Sequence, residues 1–205
     1  MSDSDLRRLY REHAPSAPEG RFSLEAMVQD SGPIELDIGF GRGLSLFERA
    51  EVSPESRIIG IELKVKLAYK VDQRLRRRGL ANVTVMQGDA REILKRAEPS
   101  GSVQRVALHF PDPWWKKRHG KRRVLGQALL TELARLMKPG GELFIQTDVQ
   151  QRAEEYVAQL RERPEFTLAS ESGYVDENPF GARSNREKRA IEDGLPIWRI
   201  LARRR

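Results

Sequence analysis

Residues Ile34-Glu35-Leu36-Asp37-Ile38-Gly39-Phe40-Gly41-Arg42-Gly43-Leu44 run from an apolar segment into glycines and then into a helical pattern. Pro33 to Ile38 predicts a buried strand, Gly39 to Gly43 a tight loop, and Leu44 to about Glu51 a short helix. Glycine lets the backbone turn sharply and lets a ligand come close where a Cβ would collide. The spacing is G-x-G-x-G. It misses the dinucleotide pattern G-x-G-x-x-G: counted from Gly39 the third glycine comes one position early, and counted from Gly41 it would fall on Leu46. Asp37, just ahead of the glycines, suits a cationic ligand better than a pyrophosphate.

Outward from this loop the pattern alternates. Strands are expected at 57–61, 82–86, 103–109, 142–146, 166–170 and 197–202. Helices are expected at 64–78, closed by Gly79, and at 91–96, 124–137 and 149–161. Lys138-Pro139-Gly140-Gly141 reads as a turn, and Thr147-Asp148 stands where a helix N-cap belongs. Short apolar strands separated by helices mean an α/β, Rossmann-like fold, with a seven-stranded, mostly parallel sheet covered by helices on both faces. Ligands of such sheets bind outside the carboxyl ends of the strands. The loops at 39–43, 62, 88–90, 110–123 and 147–148 all belong to that edge. Residues 1–30, with Pro15, Pro18 and Gly20, read as an irregular N-terminal appendage, and 31–205 as a single domain.

The 205 residues are 39% hydrophobic and 33% charged, a globular composition. No apolar run is long enough to span a bilayer, and the opening residues lack the apolar core of a secretory signal. A cytoplasmic protein with no membrane partner is expected. The absence of cysteine excludes disulfides, thiolate zinc ligands and a thiol nucleophile. His13, His109 and His119 are too scattered to suggest a metal, and His109 reads as a packing residue at a strand end. The net charge of +7 says less than its distribution. Lys116 to Arg123 has six basic residues in eight beside Trp114 and Trp115, as in a polyanion-binding loop. Arg74 to Arg78 reads as a solvated helix face.

Glu62 ends the second strand, where a carboxylate can accept both hydroxyls of a ribose. Asp89 follows the third, where it could accept from an adenine amino group. With Asp37 and the glycines Gly39, Gly41 and Gly43, these acids fall in order on three successive strands, as in a class I methyltransferase using S-adenosylmethionine, whose sulfonium and ammonium groups are cationic. After the fourth strand, Pro111 and Pro113 bracket Asp112 and hold its carboxylate in one orientation.

Phe110 to Arg123 reads FPDPWWKKRHGKRR and resembles the F-P-D-P-W-x-K-x-R-H-x-K-R-R signature of the bacterial tRNA (guanine-N7)-methyltransferases. The resemblance extends over residues 34 to 199. Leu36 to Gly41 is similar to the family's opening motif, which more often has Glu at the position of Asp37. Gly60-Ile61-Glu62, Gly88-Asp89-Ala90 and Thr147-Asp148 match in place. Ser184-Asn185-Arg186-Glu187 resembles the T-x-[FY]-E segment, with Ser for Thr and Arg186 for the aromatic. The resemblance implies methyl transfer from S-adenosylmethionine, leaving S-adenosylhomocysteine, to N7 of a guanine in the tRNA variable loop, without metal. It implies cofactor contacts from Asp37, Gly39, Gly41, Gly43, Glu62, Asp89, Ala90 and Asp112, with Asp112 also catalytic. It further implies guanosine contacts from Lys116, Asp148, Ser184 and Glu187, and RNA-backbone contacts from Arg118, Lys121, Arg122 and Arg123. A monomer or a homodimer is equally compatible with it.

Guanine N7 carries an exposed lone pair, so its attack on a sulfonium methyl needs no prior deprotonation. Positioning, with carboxylates to stabilise the cationic product, is the expected chemistry. Three alternatives remain open at the level of residues. A methyltransferase acting on an exocyclic amine carries an [ND]-P-P-[FYW] loop in this place, whereas Asp112 here has proline on both sides. A non-catalytic RNA-binding module would not need acids at 37, 62, 89 and 112. A nicotinamide dehydrogenase conflicts with the glycine spacing.

Overall fold

The computed structural model describes residues 2–28, 31–111 and 125–205. The chain runs α1 (Asp3–His13), β1 (Phe22–Ser23), β2 (Ile34–Ile38), α2 (Leu44–Val52), β3 (Arg57–Glu62) and α3 (Val65–Arg78). It continues with β4 (Val83–Gln87), α4 (Ala90–Leu94), β5 (Ala97–Glu98), β6 (Val103–His109), α5 (Gln127–Leu136) and β7 (Met137–Thr147). The last elements are α6 (Gln150–Arg161), β8 (Phe166–Leu168), β9 (Tyr174–Val175), α7 (Asn185–Glu192) and β10 (Trp198–Arg204).

The main sheet has the order β4-β3-β2-β6-β7-β10-β8, and β9 pairs with β10 off this path. The ladders from β4 through β7 are parallel, and β10 runs antiparallel to β7, β8 and β9. Seven strands were expected; two-residue β9 makes the eighth. Every residue of β2 is buried, as befits a central parallel strand covered on both faces. The core is two-sided. One cluster joins β2, β6 and β7 to α5 and α6 through Leu36, Leu108, Leu133, Ile145 and Tyr156. The other packs α2 and α3 through Leu46, Phe47, Ala68 and Val71.

Several local expectations need correction. Lys138-Pro139-Gly140-Gly141 lies inside β7: Val103 pairs with Met137, yet Arg105 pairs with Glu142, so the extra residues form a bulge at φ 78° for Gly140. The cap of α6 is Val149, and Thr147 Oγ1 accepts from its N–H at 3.2 Å, while Asp148 caps nothing. The N-terminal stretch is not irregular throughout. Ser2 and Asp5 form a capping box on α1, and the Tyr10 ring of that helix packs tilted against Tyr69 of α3 with centroids 5.3 Å apart. Beyond it β1 pairs with β5, and Leu24 and Val28 enter the core.

Candidate active site

Parallel strands deliver the loops after β2, β3, β4, β6 and β7 to one edge, and Asp37, Glu62, Asp89 and Asp148 stand there. Gly39, Gly41 and Gly43 take φ of 78°, 58° and 80°, a region that an L side chain resists. A Cβ on Gly39 would meet no atom of the described residues within 4 Å, which leaves the loop's backbone open toward a ligand. Glu62 clasps this loop to β3: its carboxylate accepts from the Gly41 N–H at 2.9 Å and the Lys64 N–H at 2.8 Å. Asp37 is buried. Its Oδ2 accepts from Ser45 Oγ at 2.5 Å, and Oδ1 accepts no hydrogen bond from the described residues. Burial raises the Asp37 pKa and Glu62's charge adds to this, against the opposing pull of His109 and Ser45. An orphaned, buried carboxylate oxygen beside an open glycine loop fits a ligand that brings positive charge. Among the described residues no group of three His, Cys, Asp or Glu could hold a metal ion.

Asp89 caps α4 by accepting from the Arg91 N–H at 3.0 Å, and its carboxylate also takes the Arg91 guanidinium at 2.6 Å. Hydrogen bonds from Arg91 hold its pKa below the ordinary value. Ala90 follows it, buried, as the first residue of α4. Asp148, after β7, pairs with the Arg186 guanidinium. Asp112, Lys116, Arg118, Lys121, Arg122 and Arg123 lie outside the described residues, as do Trp114 and Trp115.

Ser184 and Glu187 form a reciprocal capping box on α7: the Glu187 N–H donates to Ser184 Oγ at 3.1 Å. Glu187 is 1% exposed and accepts from Gln146 Nε2 at 2.7 Å, Asn178 Nδ2 at 3.1 Å and the Arg199 guanidinium at 3.3 Å. Both of its oxygens are therefore committed within the fold. Gln146 Nε2 also lies 2.6 Å from His109 Nδ1. Since a carboxylate only accepts, Glu187 turns the amide nitrogen toward itself and the second N–H faces Nδ1, so that in the neutral ring the proton belongs on Nε2.

Sequence reasoning missed the strap between β9 and α7. Arg49 of α2 donates to the Phe180 carbonyl at 2.8 Å, and the Arg183 N–H donates to Glu48 at 2.6 Å. Asn185 Oδ1 accepts from the Leu44 N–H at 3.4 Å, serving the helix start that Gly43 leaves without a side-chain cap. Only the S-x-x-E spacing of 184–187, a capping-box signature, announced any of this. Also missed was Phe110, which leaves β6 at φ 50° immediately before Pro111. A bulky residue there is strained, and such strain collects at functional sites.

Residues 31–200 match a family model described as a putative methyltransferase. Among solved structures, the 16S rRNA methyltransferase KamB superposes with a TM-score of 0.60 at 16% identity, covering 100% of this chain and 94% of that one. Precorrin-6y C5,15-methyltransferase from Geobacter metallireducens GS-15 gives 0.57 at 15% identity over 100% and 90%. At such identities the likeness speaks for the fold alone. The tRNA (guanine-N(7)-)-methyltransferase of Microcystis aeruginosa (strain NIES-843) is 36% identical over 201 residues, 97% of this chain and 93% of that protein. The enzyme of the same name from Synechococcus sp. (strain JA-3-3Ab) is 38% identical over 84% of this chain and 73% of its own length. Alike in sequence across nearly its whole length and in fold throughout, this chain belongs to the tRNA (guanine-N7)-methyltransferase family.

Proposed function

We propose that the protein methylates N7 of a guanosine in the variable loop of tRNA, using S-adenosylmethionine. The observation that carries this reading is family membership over 97% of the chain, joined to an open glycine loop with a buried carboxylate behind it. S-adenosylmethionine, when bound, supplies an electrophilic methyl group on a sulfonium. Asp37 and Glu62, with the backbone of Gly39, Gly41 and Gly43, would hold it, helped by Asp89 and Ala90. Asp112 is the expected catalytic carboxylate, positioned by its flanking prolines to stabilise charge as N7 becomes cationic. Asp148 and Lys116 would meet the guanosine, and Arg118, Lys121, Arg122 and Arg123 the RNA backbone. Ser184 and Glu187, buried and committed to the α7 cap, would serve that guanosine by positioning α7 beside β7. Residues 31–205 form the methyltransferase domain on this reading, and residues 1–30 an appendage of which α1 packs against α3. Among the described residues no helix is long and apolar enough to cross a membrane, and a cytoplasmic enzyme, monomeric or homodimeric and needing no metal, is the form we expect.

The test is transfer of labelled methyl from S-adenosylmethionine to unmodified tRNA, followed by nucleoside analysis. 7-Methylguanosine from the variable loop is the expected product, and label on an exocyclic nitrogen would refute N7 chemistry. Asp112→Asn should lose at least tenfold in turnover at saturating S-adenosylmethionine. Full activity in that variant would remove the carboxylate from the mechanism.

A further inference from the structure

Among the described residues the fold puts most of the arginines to work in ion pairs. Arg7, Arg8, Arg21, Arg49, Arg76, Arg105, Arg135, Arg163, Arg183, Arg186, Arg189, Arg199 and Arg203 each face a carboxylate. One surface is different. A groove of about 940 Å³ along α3 is lined by Arg42, Lys64, Lys66, Lys70, Arg74 and Arg77, and no acid lines it. None of these six pairs with a carboxylate among the described residues. Arg74 bonds instead to the Arg42 carbonyl and lies 4.8 Å over the Phe47 ring. Arg77 bonds to the Gln73 carbonyl at 3.2 Å. Lys66 lies 5.9 Å over Tyr10. The one acid of α3, Asp72, is taken by Arg76 at 2.9 Å.

Neighbouring acids are engaged elsewhere. On α1, which packs against α3, Asp3 pairs with Arg7, Glu12 with Arg8, and Asp5 with Ser2. Arg74 registers the crowding: burial, then the charges of Arg78 and Arg77, lowers its pKa. A cationic row held without counter-charge suits a polyanion, which replaces small counterions when it binds.

The direction of the groove identifies the polyanion. Arg42 belongs to the glycine loop, and Lys64 follows Glu62 at the end of β3, so the groove opens at the candidate active site. From there it follows α3, whose 14 residues span roughly 21 Å at 1.5 Å each. We propose that this groove carries the backbone of the substrate tRNA away from the active site, as a phosphate track on the described part of the molecule. The inference rests on tRNA being the substrate. It assigns function to a helix face that the sequence alone presents as merely solvated.

The experiment compares tRNA binding by the wild type and by a Lys66→Gln/Lys70→Gln/Arg77→Gln variant across a salt series. A second variant, Arg21→Gln/Lys95→Gln/Lys138→Gln, removes the same charge away from the groove. The α3 variant should bind S-adenosylmethionine as the wild type does, and its log K against log[salt] slope should be shallower by about 2 to 3. The control variant should keep most of the wild-type slope. Its KM for tRNA should also stay near the wild-type value, while that of the α3 variant rises several-fold with kcat little changed. An unchanged slope in the α3 variant overturns the proposal, as does an equal loss in the control, which would mean net charge alone. Loss of adsorption to phosphatidylserine vesicles with an intact tRNA slope would assign the groove to a membrane surface and likewise overturn it. Methyl transfer is measured separately: a wild type that binds tRNA through α3 yet makes no 7-methylguanosine would defeat the proposed reaction and leave the groove standing.

Discussion

Asp37 carries two opposed demands at a single residue. It is buried in β2 with one oxygen that no described residue hydrogen-bonds, and burial raises its pKa. A carboxyl whose folded-state pKa is raised favours folding fully below its unfolded value, near 3.9. That contribution disappears as pH rises through the folded value, so the ionised group weighs against the fold at neutral pH. Asp37→Asn should therefore melt about 2–4 °C higher than the wild type at neutral pH in the absence of cofactor. The gap should close in acid, and S-adenosylmethionine affinity should fall at least tenfold. Thermal melts and calorimetric titration check both halves. A lower melting temperature for the Asn variant at neutral pH would contradict the account.

At the scale of the element, α7 shows how a short helix is fixed in place. Its eight residues have only Glu187 and Ala190 buried, too little apolar surface to hold a helix by packing. Capping and the carboxylate network anchored on Gln146 and Arg199 hold it instead. Ser184→Ala should lower stability by about 1 kcal/mol, and Ser184→Thr should restore it. If the alanine variant loses methyl transfer while its melting temperature holds, the hydroxyl touches the guanosine directly. Arg186 leaves the same helix to pair with Asp148, which links α7 to the end of β7 at the candidate site.

Across the whole molecule, one buried carboxylate ties distant elements together. Glu35 of β2 accepts from Arg49 of α2 at 2.6 and 2.7 Å, Arg105 of β6 at 2.9 Å and Ser56 at 2.8 Å. Arg49 reaches on to the Phe180 carbonyl, and Arg105 to Glu142 of β7 at 3.4 Å. Burial pulls the Glu35 pKa upward, but Arg49 above all, with Ser56 and Arg105, brings it below the ordinary value. A lowered folded-state pKa gives stability that is present above the unfolded value, near 4.3, and is lost as pH falls through the folded one. Glu35→Gln leaves the partly buried Arg49 without its carboxylate and Arg105 with Glu142 alone, and should cost about 3 kcal/mol at neutral pH. The difference from wild type should shrink in acid. Urea melts at several pH values measure it, and a pH-independent difference would show that packing, not charge, is responsible.

Much of this was legible in the residues. Parallel strands covered on both faces read as continuous apolar runs, so β2, β3, β4 and β6 stand within a residue or so of their expected places, as does Gly79 at the end of α3. The glycine loop and the acids after each strand follow from strand order, because every parallel strand delivers its loop to the same edge. What failed to show were features made by pairing at a distance. α1 buries no residue of its own, so no core pattern marks it, and β1, β5 and β9 are too short to carry a period. The bulge in β7 hides in a sequence that reads as a turn, because register belongs to two strands at once. Local chemistry, then, determined the elements, the glycine loop and the edge where the acids gather. Tertiary structure alone decided which charges Glu35, Asp148 and Glu187 meet, and which cations along α3 face no carboxylate among the described residues, since a salt bridge depends on distances the chain closes only when it folds.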